Sequence, residues 1–244
     1  MIKRPIFCRT GSKWLMGEDI ISYFPPHLIY VEPFFGGGSV FWIKDPSPAE
    51  VINDLDKSLI DDYKMIQNAP LTGYNKDLNT ITKLKKFYSK SPTTLQDKIT
   101  KSVVRRCNGF SGIPVKKNYI YREANPYSKL KNIVDYKSRI ADAIILNESY
   151  EKVIHDYDTD KTLFYLDPPY EDSGKWAYDN FNIDYVKMAS ILKKIKGKFI
   201  LSINGSPNIN KVFKDFKIIQ IDKKSYASIS VGSLPRIELL IMNF

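Results

Sequence analysis

The chain of 244 residues holds only two cysteines and two histidines. Cys8 and Cys107 are too few for a disulfide framework, and no CxxC spacing suggests a zinc site. His27 and His155 stand in unrelated contexts, which gives them packing or surface roles rather than metal ligation. Long hydrophobic runs are lacking as well. Nothing approaches the roughly 20 apolar residues of a membrane helix, and the opening MIKRPIFCRT has no apolar core of a secretory signal. A reducing, cytoplasm-like compartment is the expectation. No internal repeat or low-complexity tract is visible. Hydrophobic residues still make up 43% of the chain and aromatics 13%, enough for a large buried core and unlike a disordered polypeptide.

The formal charge of +10 is confined to one stretch. Residues 71–144 carry 16 Lys and Arg against 5 Asp and Glu, a local net of +11, while the remainder balances at −1. Tyr74, Phe87, Tyr88, Phe110, Tyr119, Tyr121 and Tyr127 are interleaved with these charges. A solvated positive face is the plain reading. The concentration in one aromatic-bearing segment favours a polyanion partner, because phosphates attract such a surface.

The rest of the chain alternates strand and helix signals. LIYVEP (28–33) reads as a buried strand, followed by the turn FFGGGSV and an apolar stretch to Ile43. AEVIND reads as a second strand, and apolar residues at 55, 59, 60, 63 and 66 predict a helix after it. The pattern lapses after Pro70, where helices are expected near 76–90 and 94–106. It resumes at ADAIILNESY: TLFYLDPPY as strand, DYVKMASILKKIKGK as helix, KFILSING as strand, then FKIIQIDKKSY and IELLIMNF as a terminal antiparallel pair. A parallel α/β core (1–70 and 145–244) split by a basic helical insertion (71–144) is the expected organisation.

Two places in that core carry chemistry. Three glycines after a strand allow positive φ and close backbone approach by a ligand, although the spacing is not G-x-G-x-x-G. Asp54, at the end of the next strand, could accept hydrogen bonds from both hydroxyls of a ribose. A helix N-cap is its plain alternative, but Asp56 serves that purpose equally well. The second place is LDPPY. An exocyclic base amine is a poor nucleophile because its lone pair is delocalised into the ring. Accepting hydrogen bonds from both N–H groups favours a pyramidal nitrogen with its lone pair aimed outward. Asp167 supplies one acceptor, and the carbonyl of Pro168, stiffened by Pro169, the other. Tyr170 offers a ring for the base to stack on. In-line transfer from a sulfonium methyl then needs positioning and no metal, and a base in a duplex must first be flipped out.

These residues together resemble the Dam-type DNA adenine-N6 methyltransferases, a group dependent on S-adenosylmethionine. EPFFGGGSV is similar to the family's E-P-F-x-G-x-G-S cofactor turn, INDLDKSLI to its acid-bearing second strand and LDPPY to its catalytic tetrapeptide. TGSK resembles the lysine-bearing cofactor segment, and ELLIMN the closing strand. The likeness spans nearly the whole chain and implies a Rossmann-like methyltransferase core with a helical target-recognition insertion. It implies that Lys13 and Asp54 contact the cofactor, that Phe34, Gly36 and Gly38 shape its turn, and that Asp167 touches both cofactor and target amine. RCNGFSGI (106–113) resembles the family's recognition segment, which makes Asn108, Lys116, Lys117 and Arg122 candidates for DNA contact. Double-stranded DNA is the implied partner, and a monomer suffices for the chemistry.

Three departures stand out. Where relatives often carry an aromatic before the cofactor lysine, this chain has Arg9 or Thr10, so stacking on the cofactor comes from elsewhere; Arg9 is still grouped with the cofactor-facing residues. Near ILNESY, Ser149 beside Glu148 replaces an aspartate that relatives present to the cofactor's adenine. Ser111 replaces an asparagine of the recognition segment, so no target sequence transfers. Trp176, Tyr178 and Phe181 could close over a flipped base or simply pack. Cytosine-N4 methylation needs the same acceptor geometry and remains the runner-up. A nucleic-acid-binding relative without catalysis is the alternative from another class, with the intact Asp54 and Asp167 against it.

Overall fold

The central strands are apolar along most of their length, and the structure shows why. In the computed structural model, which describes residues 4–7, 9, 11–70, 78, 80–108, 126–170, 183–221 and 237–244, seven strands form one sheet. They are β1 (Ile29–Glu32), β2 (Ala49–Asn53), β3 (Ile144–Leu146), β4 (Thr162–Leu166), β5 (Lys198–Asn204), β6 (Lys217–Ile221) and β7 (Glu238–Met242). Their order is β3-β2-β1-β4-β5-β7-β6. The first five run parallel, and β7 lies antiparallel between β5 and β6.

Side chains alternate between the two faces of a strand, and here both faces are covered. Leu163 and Tyr165 of β4 join one hydrophobic cluster, Phe164 and Leu166 the other. The same split recurs in β5, with Ile200 on the first face and Phe199, Leu201 and Ile203 on the second. Burial on both faces is why these strands read as unbroken apolar runs. The predicted strands all form, including the antiparallel terminal pair.

Ten α-helices lie among the described residues, besides a 3-10 helix at Trp14–Met16: α1 (Gly17–Ile21), α2 (Ser39–Ile43), α3 (Lys57–Asn68), α4 (Ile81–Tyr88), α5 (Leu95–Asn108), α6 (Tyr127–Lys131), α7 (Ile133–Ile140), α8 (Tyr150–Tyr157), α9 (Tyr185–Leu192) and α10 (Pro207–Val212). The sequence pattern did not reveal α1, α6, α7, α8 or α10. The last two are short and depend on their caps: Ser149 accepts from the Lys152 N–H, and Ser206 from the Ile209 N–H. Helix α9 ends sooner than its amphipathic pattern suggests. Beyond it, the Asp158 carboxylate takes the backbone N–H groups of Lys196 and Gly197 and turns the chain into β5.

The described helices between residues 80 and 140 are not a separate body. Leu84, Ile99, Val103, Leu130, Ile133, Tyr136 and Ile140 belong to the same hydrophobic cluster as one face of the sheet. Charge pairs tie them down as well. The buried Arg106 guanidinium of α5 binds Asp62 of α3 and donates to Ser58 Oγ at 2.9 Å. Arg139 of α7 pairs with Glu50 of β2, which also binds Lys44 at 2.5 Å.

Removing one partner of a buried pair strands a charge. Asp62→Ala should therefore cost about 3–5 kcal/mol in urea unfolding. The double variant Asp62→Leu/Arg106→Met should recover most of that loss, because neither charge is then left without its counterpart.

Candidate active site

Three strand ends converge at one edge of the sheet. Asp54 follows the end of β2, Asp167 follows the end of β4, and the turn Pro33–Gly38 leaves β1 between them. An aspartate thus stands on each side of the glycine turn, at the carboxyl ends of parallel strands where such sheets bind ligands.

The turn depends on glycine at two positions in the left-handed region, Gly36 with φ 48° and Gly38 with φ 64°. The neighbours of the three glycines separate their roles. A Cβ on Gly37 would lie 2.6 Å from the Phe7 carbonyl oxygen, and one on Gly38 would lie 2.3 Å from the Phe35 ring. At Gly36 the nearest atom would be Arg9 Cγ at 3.8 Å. Packing of the protein against itself therefore demands Gly37 and Gly38, while Gly36 keeps an open side. The Phe34 ring is half-buried and packs on Tyr150, with centroids 5.2 Å apart.

Asp56 caps α3 as expected, accepting from the Leu59 N–H at 3.1 Å. Burial would raise its pKa, but the paired Arg9 guanidinium and the cap bond outweigh that and hold the carboxyl below the ordinary range. Asp54 is not idle as a result. Its Oδ2 accepts from the Gly36 N–H at 2.7 Å and its Oδ1 from the Asp56 N–H at 2.9 Å. Burial pushes its pKa upward against those two bonds. Each oxygen retains further acceptor capacity. Asp54 thus braces the turn and can still receive a ligand.

The ILNESY segment is clamped to this edge. Asn53 Nδ2 donates to the carbonyls of Pro33 and Glu148 at 2.9 and 3.0 Å, and its Oδ1 accepts from the Glu148 N–H. Asn147 donates to the Asp54 carbonyl at 2.8 Å. Ser149, noted for its place beside Glu148, is occupied as the cap of α8.

On the other side, the ammonium of Lys13 lies 2.5 Å from Asp167 Oδ1 and donates to the Tyr170 hydroxyl. It lies 3.5 Å from Glu238 Oε1, and the Tyr170 hydroxyl donates to that same oxygen at 3.0 Å. The Tyr185 hydroxyl donates to the Pro169 carbonyl at 2.5 Å, pinning the tetrapeptide from α9. Lys13 and Glu238 are 3% and 0% exposed, whereas Asp167 keeps a quarter of its side chain open. Burial opposes the charge on Lys13, but Asp167 and Glu238 outweigh it and keep its pKa above the ordinary lysine value. Burial raises Asp167, and Lys13 pulls it part of the way back. The fully buried Glu32 accepts from the Tyr30 hydroxyl at 2.9 Å; burial pushes its carboxyl well above the ordinary range, favouring the protonated form.

The structure thus brings Lys13, Asp167, Pro168, Pro169 and Tyr170 together, and Arg9, Phe34, Gly36, Gly38 and Asp54 beside them. Asn108 is the last residue of α5. Lys116, Lys117, Arg122, Ser111, Trp176, Tyr178 and Phe181 lie outside the described residues. Sequence reasoning missed Glu238, Asn53, Asn147 and Tyr185. For Glu238 a signal existed: an acid opening an otherwise apolar strand is a buried polar residue in need of a partner.

Comparison with known proteins adds a family. Residues 10–226 match the model described as D12 class N6 adenine-specific DNA methyltransferase. A type II methyltransferase, M1.LlaDCHI of Lactococcus lactis subsp. cremoris, is 26% identical, covering 99% of this chain and 98% of its own. Type II methyltransferase M.CviBI of Paramecium bursaria Chlorella virus NC1A is 23% identical, covering 91% and 90%. Among solved structures, a putative rRNA-methylase from Clostridium thermocellum aligns over all of both chains with a TM-score of 0.44 and 10% identity, too distant to bear on the chemistry.

The glycine geometry yields a stability ranking. Gly38→Ala combines a left-handed backbone with overlap on Phe35 and should lose more than the ~1–2 kcal/mol that the backbone conformation alone costs. Gly36→Ala should lose only that backbone cost, as read by urea unfolding of both variants.

Proposed function

The chain belongs to the D12 class N6 adenine-specific DNA methyltransferases, and from that premise we propose that Asp167, Pro168, Pro169 and Tyr170 hold the target amine while Lys13, Asp54 and the Gly36 turn hold the methyl donor. The family resolves the choice of amine left open by the residues: the product is N6-methyladenine in DNA, formed at specific sites, and the donor is S-adenosylmethionine. The juxtaposition of Asp167 with the glycine turn, on neighbouring strand ends, is the observation that carries the residue assignment.

The residues fit that donor. Gly36 keeps an open side on the strand end between those of Asp54 and Asp167, and both aspartates are partly exposed. Asp54 would take the ribose hydroxyls, with Phe34 and Arg9 bordering the turn. When bound, S-adenosylmethionine supplies an electrophilic methyl on a sulfonium. The chain's own work is to hold the nucleophile. Asp167 and the Pro168 carbonyl accept the two N–H groups of adenine, and Tyr170, anchored through its hydroxyl, presents its ring to the base. Holding both reactants in line accounts for most of the acceleration. The adenine must leave its stack to reach the pocket, at roughly a few kcal/mol.

For DNA, we assign the insertion 71–144 to target recognition. Exposed lysines on α4 and α5, among them Lys83, Lys85, Lys86 and Lys98, support a phosphate-facing surface. Asn108, Lys116, Lys117 and Arg122 are the assigned contacts to double-stranded DNA. A monomer working in the cytoplasm of a bacterial or virus-infected cell completes the proposal.

Asp167→Ala should lower methyl transfer by at least ~10²-fold and leave DNA affinity within a few-fold; an equally active variant sinks the assignment. Nucleoside digestion of the product should give N6-methyladenine. Asp167 must be ionised to accept its N–H group while paired with Lys13, the Pro168 carbonyl taking the other. Since burial raises its pKa, the acid limb of kcat should lie above the ordinary aspartate value of 3.8. Lys13→Met removes the cation that lowers that pKa, so its acid limb should move to higher pH. DNA affinity of the parent protein should fall steeply with salt, as phosphate contacts release counterions.

A further inference from the structure

The buried lysine of the site serves two carboxylates. Lys13 lies 2.5 Å from Asp167 Oδ1 and 3.5 Å from Glu238 Oε1, with the Tyr170 hydroxyl bonded to both Lys13 and Glu238. Glu238 enters from β7, the antiparallel strand, and is the only one of the four that comes from the far end of the chain. Its side chain is wholly buried. It cannot reach solvent, so its place in the structure rests on the groups around it.

The Lys13 ammonium sits on Oδ1 of Asp167, and the carboxylate keeps acceptor capacity for an amine hydrogen. A second carboxylate, Glu238, lies 3.5 Å from the same ammonium. That leaves two carboxylates against one ammonium, a surplus of one negative charge. A sulfonium donor carries the complementary charge, and its demethylated thioether product carries none there.

We infer that Glu238 is a positioning residue that shares the Lys13 ammonium with Asp167 and supplies the surplus negative charge by which the site favours the sulfonium donor over its thioether product. This rests on the proposed use of Asp167 and extends it. Glu238 acts through Lys13 and Tyr170, and substrate contact is left to Asp167. The carboxylate thereby biases the site toward charged donor and against spent product.

Calorimetric titration without DNA tests this directly, using S-adenosylmethionine and S-adenosylhomocysteine on the parent protein and on Glu238→Gln. The glutamine keeps the shape and an acceptor for Tyr170 but removes the charge. The ratio of the two affinities should shift roughly five- to tenfold against S-adenosylmethionine, as expected for losing one nearby charge in a partly desolvated site, while S-adenosylhomocysteine binds within about twofold of the parent. A ratio unchanged in Glu238→Gln overturns the inference. A merely structural role would weaken both ligands alike, which also overturns it. Glu238→Asp, retaining the charge, should keep the parent ratio, and it decides the matter should the glutamine form bind neither ligand; a lost preference there is again fatal. In turnover, Glu238→Gln should lower kcat and leave KM for DNA unchanged. Because the ratio is read without DNA, it stands apart from the adenine assignment: a parent protein that methylates no adenine refutes that reading and leaves the charge bias to be judged by its own titration.

Discussion

One ammonium organises the catalytic edge. Lys13 is buried among Asp167, Glu238 and Tyr170, and it draws together three parts of the chain: the N-terminal segment, the end of β4 and the start of β7. A charge out of water is tolerated only when paired and hydrogen-bonded. The demand therefore runs both ways. Lys13 needs the two acids, and the acids, close together at low dielectric, need Lys13. That mutual requirement places Asp167 beside the glycine turn and sets the Tyr170 ring by its hydroxyl rather than by packing alone.

The glycine turn works on a different principle. It has no charge of its own, and its shape follows from left-handed backbone at Gly36 and Gly38 together with close contact of Gly37 and Gly38 with Phe7 and Phe35. Asp54 stabilises this shape by accepting the Gly36 N–H. The side proposed for the cofactor thus depends on backbone geometry braced by an acid, and the side proposed for the amine on side-chain charge. β1, lying between β2 and β4, brings the two to one edge of the sheet.

The basic segment is bound into the same body. Arg106 opens the stretch that resembles a recognition motif, yet its side chain is spent inside the protein on Asp62 and Ser58. A count of positive residues cannot distinguish such a structural arginine from one that faces a phosphate. Shared burial of α5 and α7 against the sheet fixes these two helices relative to the edge that bears Asp54 and Asp167.

The sequence alone determined the strand ladder, the glycine turn and the acids at the ends of two strands, because those depend on local pattern: short apolar runs, positive φ, and proline ending a strand. It also determined the antiparallel closing pair. Helices α8 and α10 escaped notice because a single serine cap and a few buried contacts stabilise them, and neither leaves a long periodic trace. Only the tertiary structure decided that Asp54 braces the turn, that Arg106 is interior, and that Glu238 meets Lys13 across 225 positions of chain. Such pairings follow from the crossing order of the strands, which brings distant residues together through burial on both faces of the sheet, and no local pattern records which distant charge a buried lysine will find.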